Sequence, residues 1–418
     1  MLIKTFTYCI IGTVLEWYDF ALFGVLAPIL STIFFPHKDK TTSLLIAFSI
    51  FATGFLTRPL GSIFFGHIGD RYGRKKAIIL SMLLMCFSTV GIGLLPIHHV
   101  NTHLIVMVLV ILRLFQGFSV GGETGGIITF VSELFSRKEK LFFYQSFIYA
   151  GMNAGILLGT AIGSLTFSVY HHNIQTNVWR LPFLISLLLG IVGLYLRLKA
   201  IESPIFSSIL QQNKVVKIPF VYMLRKCYRQ VIFSLLLMFS GAIVFYYTLF
   251  YYPAYINHFL KFGRYLHVEI IGLVCLLFLA PFFSFFYTKN NVRKITIAGF
   301  LSFLIFPIPT LILVALYPHQ LALVIQLFYI VCYSTFQSLI PTLPCLSFPH
   351  EVRYTGLSFC FNVAVLFGGT FPMAAILLTK ITGLSFAGGL YMALAALPAI
   401  IALLYLWKTM AITARPNH

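Results

Sequence analysis

The sequence predicts an all-α integral membrane protein with twelve transmembrane helices in two six-helix bundles and both termini in the cytoplasm. Three observations carry this prediction. Of 418 residues, 59% are hydrophobic and only 9% charged, with a mean hydropathy of +0.94, whereas soluble domains carry about 25% charged residues. Apolar runs long enough to cross about 30 Å of hydrocarbon, roughly 20 residues of helix, follow one another almost without pause. The runs are continuous and do not alternate, which excludes a membrane β-barrel.

Taken in order, the spans fall at 7–35, 43–69, 77–96, 104–133, 141–169, 179–199, 230–256, 267–288, 295–316, 320–346, 352–379 and 386–408. The first is a retained span and not a signal peptide, because it holds charges and lacks a small-residue cleavage site. Lys and Arg are kept on the cytoplasmic side of short loops. With the N-terminus inside, 21 of the 29 basic residues fall on inner segments and 6 on outer ones, leaving Arg58 and Arg113 within spans. The net charge of +19 is therefore a topology signal. A nucleic-acid reading of it would need a basic face on a folded soluble domain, and no stretch supplies one.

The organisation expected is a bundle at 1–199, a basic amphipathic linker at 200–229 lying along the inner membrane surface, and a second bundle at 230–418. Seven cysteines lie in spans or on the inner side without a CxxC pair, so neither a disulfide framework nor a metal site is expected. No cofactor is implied, and the driving force would be a proton gradient. The partners expected are a small-molecule substrate, protons and the lipid bilayer, with no nucleic acid, and the chain is expected to be a monomer crossing the inner (cytoplasmic) membrane of the cell.

The loop after the second span, GHIGDRYGRKK at 66–76, allows a tight turn at Gly69 and Gly73. It places Asp70 at a helix C-terminus, where its charge opposes the helix dipole and calls for a foreign partner. This stretch resembles the signature loop of the major facilitator superfamily at Gly66, Asp70, Arg71, Gly73, Arg74, Lys75 and Lys76. The resemblance implies that Asp70 meets the start of the eleventh helix, near Glu351, and helps lock the two halves on the inner side, with Glu133 at the inner end of span four. Further stretches resemble the metabolite:proton symporter branch, which includes proline/betaine, shikimate, citrate and 2-oxoglutarate carriers: EWYDF at 16–20, TRPLG at 57–61, RLFQGFSVGGETGG at 113–126, ESPIF at 202–206 and VRYTGLSFCFNV at 352–363. There are departures. The loop YTKNNVRKI has Lys289 where a second signature loop would carry an acid and Val292 near its glycine position, and Leu346 stands where many relatives carry Glu. Osmosensing relatives end in a long coiled coil, and with a chain ending at His418 a mechanism of that kind is not expected.

With only 10 acidic residues in the chain, each one can be placed by depth. At about 1.5 Å per helical residue, Glu16 lies about 13 Å and Asp19 about 18 Å from the inner end of span one, Arg58 about 18 Å from Asp70, and Glu123 about 15 Å from Glu133. A charge at such depth costs several kcal/mol unless it is paired or lines a wet cavity, which makes these residues functional candidates. A structural ion pair of Arg58 with Glu16 or Glu123 would satisfy one acid but not three. The surplus acid would gain and lose a proton, with Asp19 and Glu123 the first choices as carriers and Glu16 next. Arg58 and Arg113 would hold a substrate carboxylate or tune the acids. Trp17, Tyr18 and Gln116 are grouped with the substrate site, as are Asn153, Gln337 and Asn362, polar residues deep in spans five, ten and eleven. Each of the last three could equally serve interhelical hydrogen bonding. Tyr246, Tyr247 and Tyr251 of VFYYTLFYYP could wall the site for an organic cation, or could simply pack.

The function expected is a proton-coupled symporter that imports a small polar organic solute by alternating access, a zwitterion such as an amino acid or betaine being favoured. The alternative is an organic-acid:proton symporter that uses Arg58 and Arg113 as carboxylate clamps, with an exporter of the same fold behind it. An enzyme would need a nucleophile or metal cluster at the midplane, and a channel would conduct without regard to the proton gradient. Nine of the twelve histidines (His37, His98, His99, His103, His171, His172, His258, His267 and His319) fall on outer loops or span ends, where external pH sensing competes with ordinary polar loop filling.

Overall fold

The computed structural model describes residues 2–35, 39–96, 102–135, 138–172, 177–259, 268–288 and 291–413. The first half comprises α1 (Leu2–Phe34), α2 (Lys40–Tyr72), α3 (Arg74–Gly93), α4 (Thr102–Leu134), α5 (Lys138–His172) and, after a 3₁₀ turn, α6 (Leu181–Lys199). Two short helices follow, α7 (Pro204–Gln211) and α8 (Pro219–Lys226). The second half begins with α9 (Tyr228–Tyr246), which a π turn at Tyr247–Tyr251 joins to α10 (Tyr252–Phe259). It continues with α11 (Val268–Phe285), α12 (Val292–Ile305), α13 (Pro307–Leu316), α14 (Pro318–Ser334), α15 (Leu339–Ser347), α16 (Arg353–Gly368), α17 (Phe371–Thr382) and α18 (Ala387–Thr413).

Among the described residues, ten helical stretches are long and apolar enough to cross a bilayer, α12 and α13 form an eleventh bent by 47°, and the shorter apolar α11 completes twelve. The breaks have chemical causes. Pro253 has no N–H to offer the carbonyl of Leu249, four residues back, and the chain ahead of it widens into the π turn. Pro307 opens α13 at the 47° bend. The long helices bury one side and present Leu, Phe and Ile on the other; in α2, Leu56 and Leu60 are 61% and 60% exposed, as suits a face in contact with lipid.

Within the first half, α2 packs on α4, α1 on α5 and α3 on both α4 and α6; within the second, α9 and α12 pack on α18, and α16 on α9. The α2–α4 approach depends on glycine. A Cβ added to Gly117 would lie 1.7 Å from the Gly54 carbonyl oxygen, so the GFSVG run at 117–121 acts as a small-xxx-small contact stripe. The two halves meet where α16 lies on α2 and α4 and where α11 lies on α5. The linker helices turn one side toward the bundles. Phe206 and Ile209 of α7 and Pro219 and Met223 of α8 are buried beneath α2, α4 and α16.

Candidate transport site

The halves are fastened at one end, and the fastening begins at Asp70. Its carboxylate accepts hydrogen bonds from the backbone N–H of Tyr354 (3.2 Å) and Thr355 (2.9 Å) and from the Thr355 hydroxyl (2.7 Å), at the exposed N-terminal amides of α16. Arg74 stands 3.4 Å from Asp70. It makes a two-pronged pair with Glu133, both contacts 3.1 Å, and donates to the His350 carbonyl at 2.7 Å. Ser203 of the linker donates to Glu133 at 2.5 Å. The Tyr354 hydroxyl donates to the Gly122 carbonyl at 2.9 Å and Asn362 donates to the Gly121 carbonyl at 2.8 Å. Ser146 on α5 meets Ser284 on α11 at 2.7 Å.

Several expectations for this latch change in detail. Gly73 alone makes the turn, at φ +122°. Gly69 remains helical, and its bare face admits the Tyr354 ring, which lies 2.4 Å from where a Cβ would be. Gly66 does the same for Thr355 at 2.8 Å. Arg71 is exposed and lies 5.2 Å over the Tyr72 ring, so it makes no latch bond among the described residues. Glu351 sits in the 3₁₀ turn His350–Val352 ahead of α16, without an ion pair among the described residues. Lys289 lies outside the described residues. Beside it, the Asn291 side chain closes the loop on itself, accepting from the Thr288 N–H at 2.7 Å and donating to the Phe286 carbonyl at 2.8 Å.

Away from the latch, a cavity of about 600 Å³ opens between the halves. The first half contributes Trp17, Phe20, Phe51, Phe55, Arg58, Tyr149 and Asn153, and the second Phe245, Tyr246, Phe250, Tyr333, Gln337 and Phe361. Its α2 wall runs from Phe48 to Arg58, more than two helical turns from Asp70. Five of its buried polar atoms lack partners among the described residues: Arg58 Nε and Nη2, Trp17 Nε1, Asn153 Nδ2 and Gln337 Oε1. The Arg58 guanidinium is sandwiched 4.3 Å from the Phe20 ring and 4.4 Å from the Phe55 ring. These faces attract the cation while leaving its in-plane N–H donors free. Among the described residues, no Asp or Glu lines the cavity.

The buried acids of the first half are not among its lining residues. Glu123 is ion-paired with Arg197 of α6 and accepts from Ser81 at 3.3 Å. Asp19 accepts from Ser186 at 2.5 Å. Both Glu16 carboxylate oxygens are buried without a hydrogen-bond partner among the described residues. The Arg58 pairings with Glu16 or Glu123 weighed from sequence do not form; the described ion pairs involve Arg74 and Arg197 alone.

The expected site residues thus divide. Trp17, Arg58, Asn153, Tyr246 and Gln337 line the cavity. Arg113 does not; it is sealed among the Phe20, Phe23 and Phe51 rings at 4.9, 4.8 and 4.4 Å and donates to Gln116 at 2.7 Å. Gln116 in turn donates to Thr89 at 2.8 Å, which turns it into the first bundle. Tyr18 donates to the Pro182 carbonyl at 2.8 Å, since it sits about 100° around the helix from Trp17. Tyr247 and Tyr251 pack against Tyr329 and Phe371 inside the second half, Tyr247 sitting about 100° around the helix from Tyr246. Asn362 is not among the lining residues; it bonds across the halves to the Gly121 carbonyl.

The sequence reading missed Arg197, which it counted among loop cations. A signal was present: Gly12, one turn before Glu16 on the same face of α1, leaves room where a Cβ would lie 2.6 Å from Arg197 Nη2. The phenylalanine sandwich of Arg58 was missed too, its rings coming from spans one and two. Of the outer histidines, the side chains of His37, His98, His99, His171, His172, His258, His267 and His319 lie outside the described residues.

Comparison with known proteins agrees with this architecture. The profile of the Major Facilitator Superfamily matches residues 9–372. The chain is 32% identical over 390 residues to the Proline/betaine transporter of Escherichia coli K12, covering 90% of this chain and 78% of that one. It is 30% identical over 426 residues to the Glycine betaine/proline/ectoine/pipecolic acid transporter OusA of Dickeya dadantii, covering 97% and 83%. Among solved structures, the proton:xylose symporter XylE bound to 6-bromo-6-deoxy-D-glucose superposes with a TM-score of 0.76 at 19% identity, covering 97% of this chain and 95% of that one. The human organic anion transporter MFSD10 does so with a TM-score of 0.69 at 13% identity, covering 96% and 99%. The chain is accordingly a multi-pass membrane transporter, not an enzyme, and belongs to the major facilitator superfamily.

Proposed function

We propose that this protein is a proton-coupled symporter of the bacterial inner membrane, acting as a monomer and importing a small zwitterion, a betaine or an amino acid. The observation that carries the reading is the cavity's pairing of an unpartnered arginine with aromatic walls and no acid. Arg58, with Asn153 and Trp17 as further donors, suits a carboxylate. The rings of Phe245, Tyr246, Phe250 and Tyr333 from the opposite half suit a substituted ammonium, which aromatic faces attract without needing a counter-carboxylate. A dicarboxylate fits less well, since Arg113 is walled off by phenylalanines. The names of the relatives support the same substrate class.

With the basic loops in the cytoplasm, the Asp70 latch closes the inner side and the cavity faces outward. Import then requires solute and proton to enter from outside, the latch to part, and both to leave inward. Glu16, buried and without a partner, is the acid best suited to carry the proton. Glu123 is neutralised by Arg197 and Asp19 is held by Ser186, so they rank behind it. A thermal-shift screen of the purified protein against betaines, amino acids and organic acids, followed by vesicle uptake with and without an imposed ΔpH, tests the reading. Stabilisation by zwitterions and ΔpH-driven accumulation are expected. Stabilisation by organic acids alone, or uptake indifferent to ΔpH, would overturn it.

A further inference from the structure

The first half holds a cation whose position the latch and the cavity do not explain. Arg197 rises from the last turn of α6, is 3% exposed, and spends two of its three nitrogens: Nη2 on Glu123 and Nη1 on the Ile78 carbonyl at 2.8 Å. Its Nε, equally buried, has no partner among the described residues. That nitrogen lies over Gly12, 2.7 Å from where a Cβ would be. Glu16, with both oxygens also unpartnered, is one helical turn further along the same face of α1. An unused buried donor and two unused buried acceptors thus lie about a turn apart along α1.

We propose that Arg197 is the charge switch of this transporter, held by Glu123 while Glu16 carries a proton and turning toward Glu16 when that carboxyl gives its proton up. The inference rests on the proton-coupling reading given above and adds the positioning residue through which it acts. The balance is simple. Protonated Glu16 is neutral and leaves one Arg⁺ with one carboxylate; loss of the proton creates a second carboxylate, and the shared guanidinium is the charge that steadies both. Other charged and titratable groups lie nearby. Arg58 of α2 also attracts Glu16, from the cavity wall between the Phe20 and Phe55 rings. Asp19 of α1 and Tyr354 of α16 interact with Glu16, Cys9 of α1 and Glu123 of α4 with Arg197, Cys86 of α3 with Asp19 and Arg113 of α4 with Arg58, while Tyr149 of α5 lines the cavity. A link to the latch is built in, because the Tyr354 hydroxyl bonds the Gly122 carbonyl next to Glu123 while the Tyr354 N–H bonds Asp70. A shift of Arg197 away from Glu123 is therefore felt at the start of α16.

The test needs no substrate. Full-length protein in nanodiscs is titrated while its protonated-carboxyl infrared bands are followed, the Glu16 band being identified by its loss in Glu16→Gln. In Arg197→Gln the Glu16 midpoint should rise by about one unit or more, the usual effect of removing an opposite charge at contact range. Arg197→Lys should bring it most of the way back, which a merely structural role would not do. Gly12→Ala, whose methyl collides with the guanidinium, should raise the midpoint in the same direction and serves as the second variant if Arg197→Gln fails to fold. An unmoved midpoint in Arg197→Gln or Gly12→Ala, or the absence of any Glu16 band in wild type, overturns the proposal. Vesicle uptake in wild type that ignores ΔpH would instead sink the proton-coupling reading, so the two failures are distinguishable.

Discussion

Replacing Asp70 by Asn removes charge from the latch while keeping its shape. The carboxylate accepts three hydrogen bonds, at 3.2, 2.9 and 2.7 Å. Bonds to a charged acceptor contribute about 1.5–3 kcal/mol each and neutral ones about 0.5–1.5. Three bonds weakened by about 1 kcal/mol each give about 3 kcal/mol, and an amide NH₂ facing backbone N–H groups adds repulsion. Discounting for relaxation leaves about 2–3 kcal/mol against the latched state, a population shift of about 30- to 150-fold. Cys345 reports on that shift, because its thiol is fully buried and meets Ser132 of the other half at 3.3 Å. In a variant retaining Cys345 as its sole cysteine, the maleimide labelling rate should follow the unlatched fraction and rise by roughly that factor in Asp70→Asn. A rise under about threefold, with unfolding temperature unchanged, would refute the idea that these three bonds hold the two halves together.

Other consequences follow from the same geometry. Arg58→Gln should weaken the binding of a carboxylate-bearing solute by about 2–4 kcal/mol, roughly 30- to 1,000-fold in Kd by calorimetry, because the Gln side chain is neutral and shorter. Gly117→Ala forces a methyl to within 1.7 Å of a carbonyl oxygen and should cost more than about 3 kcal/mol, seen as a fall in thermal unfolding temperature or loss of folded yield. Glu202 in the linker accepts from the backbone N–H groups of Lys75 and Ser203. Burial nevertheless raises its pKa above the usual 4.5, against the lowering by those bonds. A docked linker then holds this proton more tightly than a free one, so docking is favoured below about pH 4.5 and weakens as pH climbs through the raised value. Hydrogen exchange across residues 200–211 should slow on acidification after correction for the intrinsic rate, and Glu202→Gln should abolish that dependence.

The particular residues divide by how their environment is specified. Asp70 was legible because an acid at a helix C-terminus is badly placed for its own dipole, and that conflict is local. Arg58 was legible because one cation among apolar neighbours has a computable depth. Arg197 was not. It lies one turn from a helix end, where a long side chain can reach either water or the core, and only the space above Gly12 decides which. The tyrosines of VFYYTLFYYP failed for a related reason, since helical spacing says which of them share a face but not which face meets the cavity.

By itself the sequence determined that this protein crosses the membrane about a dozen times, which loops it predicts to lie inside, and which residues carry charge into the hydrocarbon. Those properties depend on residue counts over single helices, and the penalty for misplacing a charge or a backbone group in lipid is large enough to enforce them. Tertiary structure alone decided which arginine meets which acid, which aromatic faces the cavity, and which end of the cleft is closed. Such choices turn on contacts between helices far apart in the chain, from 59 residues for Arg74–Glu133 to 285 for Asp70–Thr355, where a difference of one side chain's orientation is invisible to any local pattern.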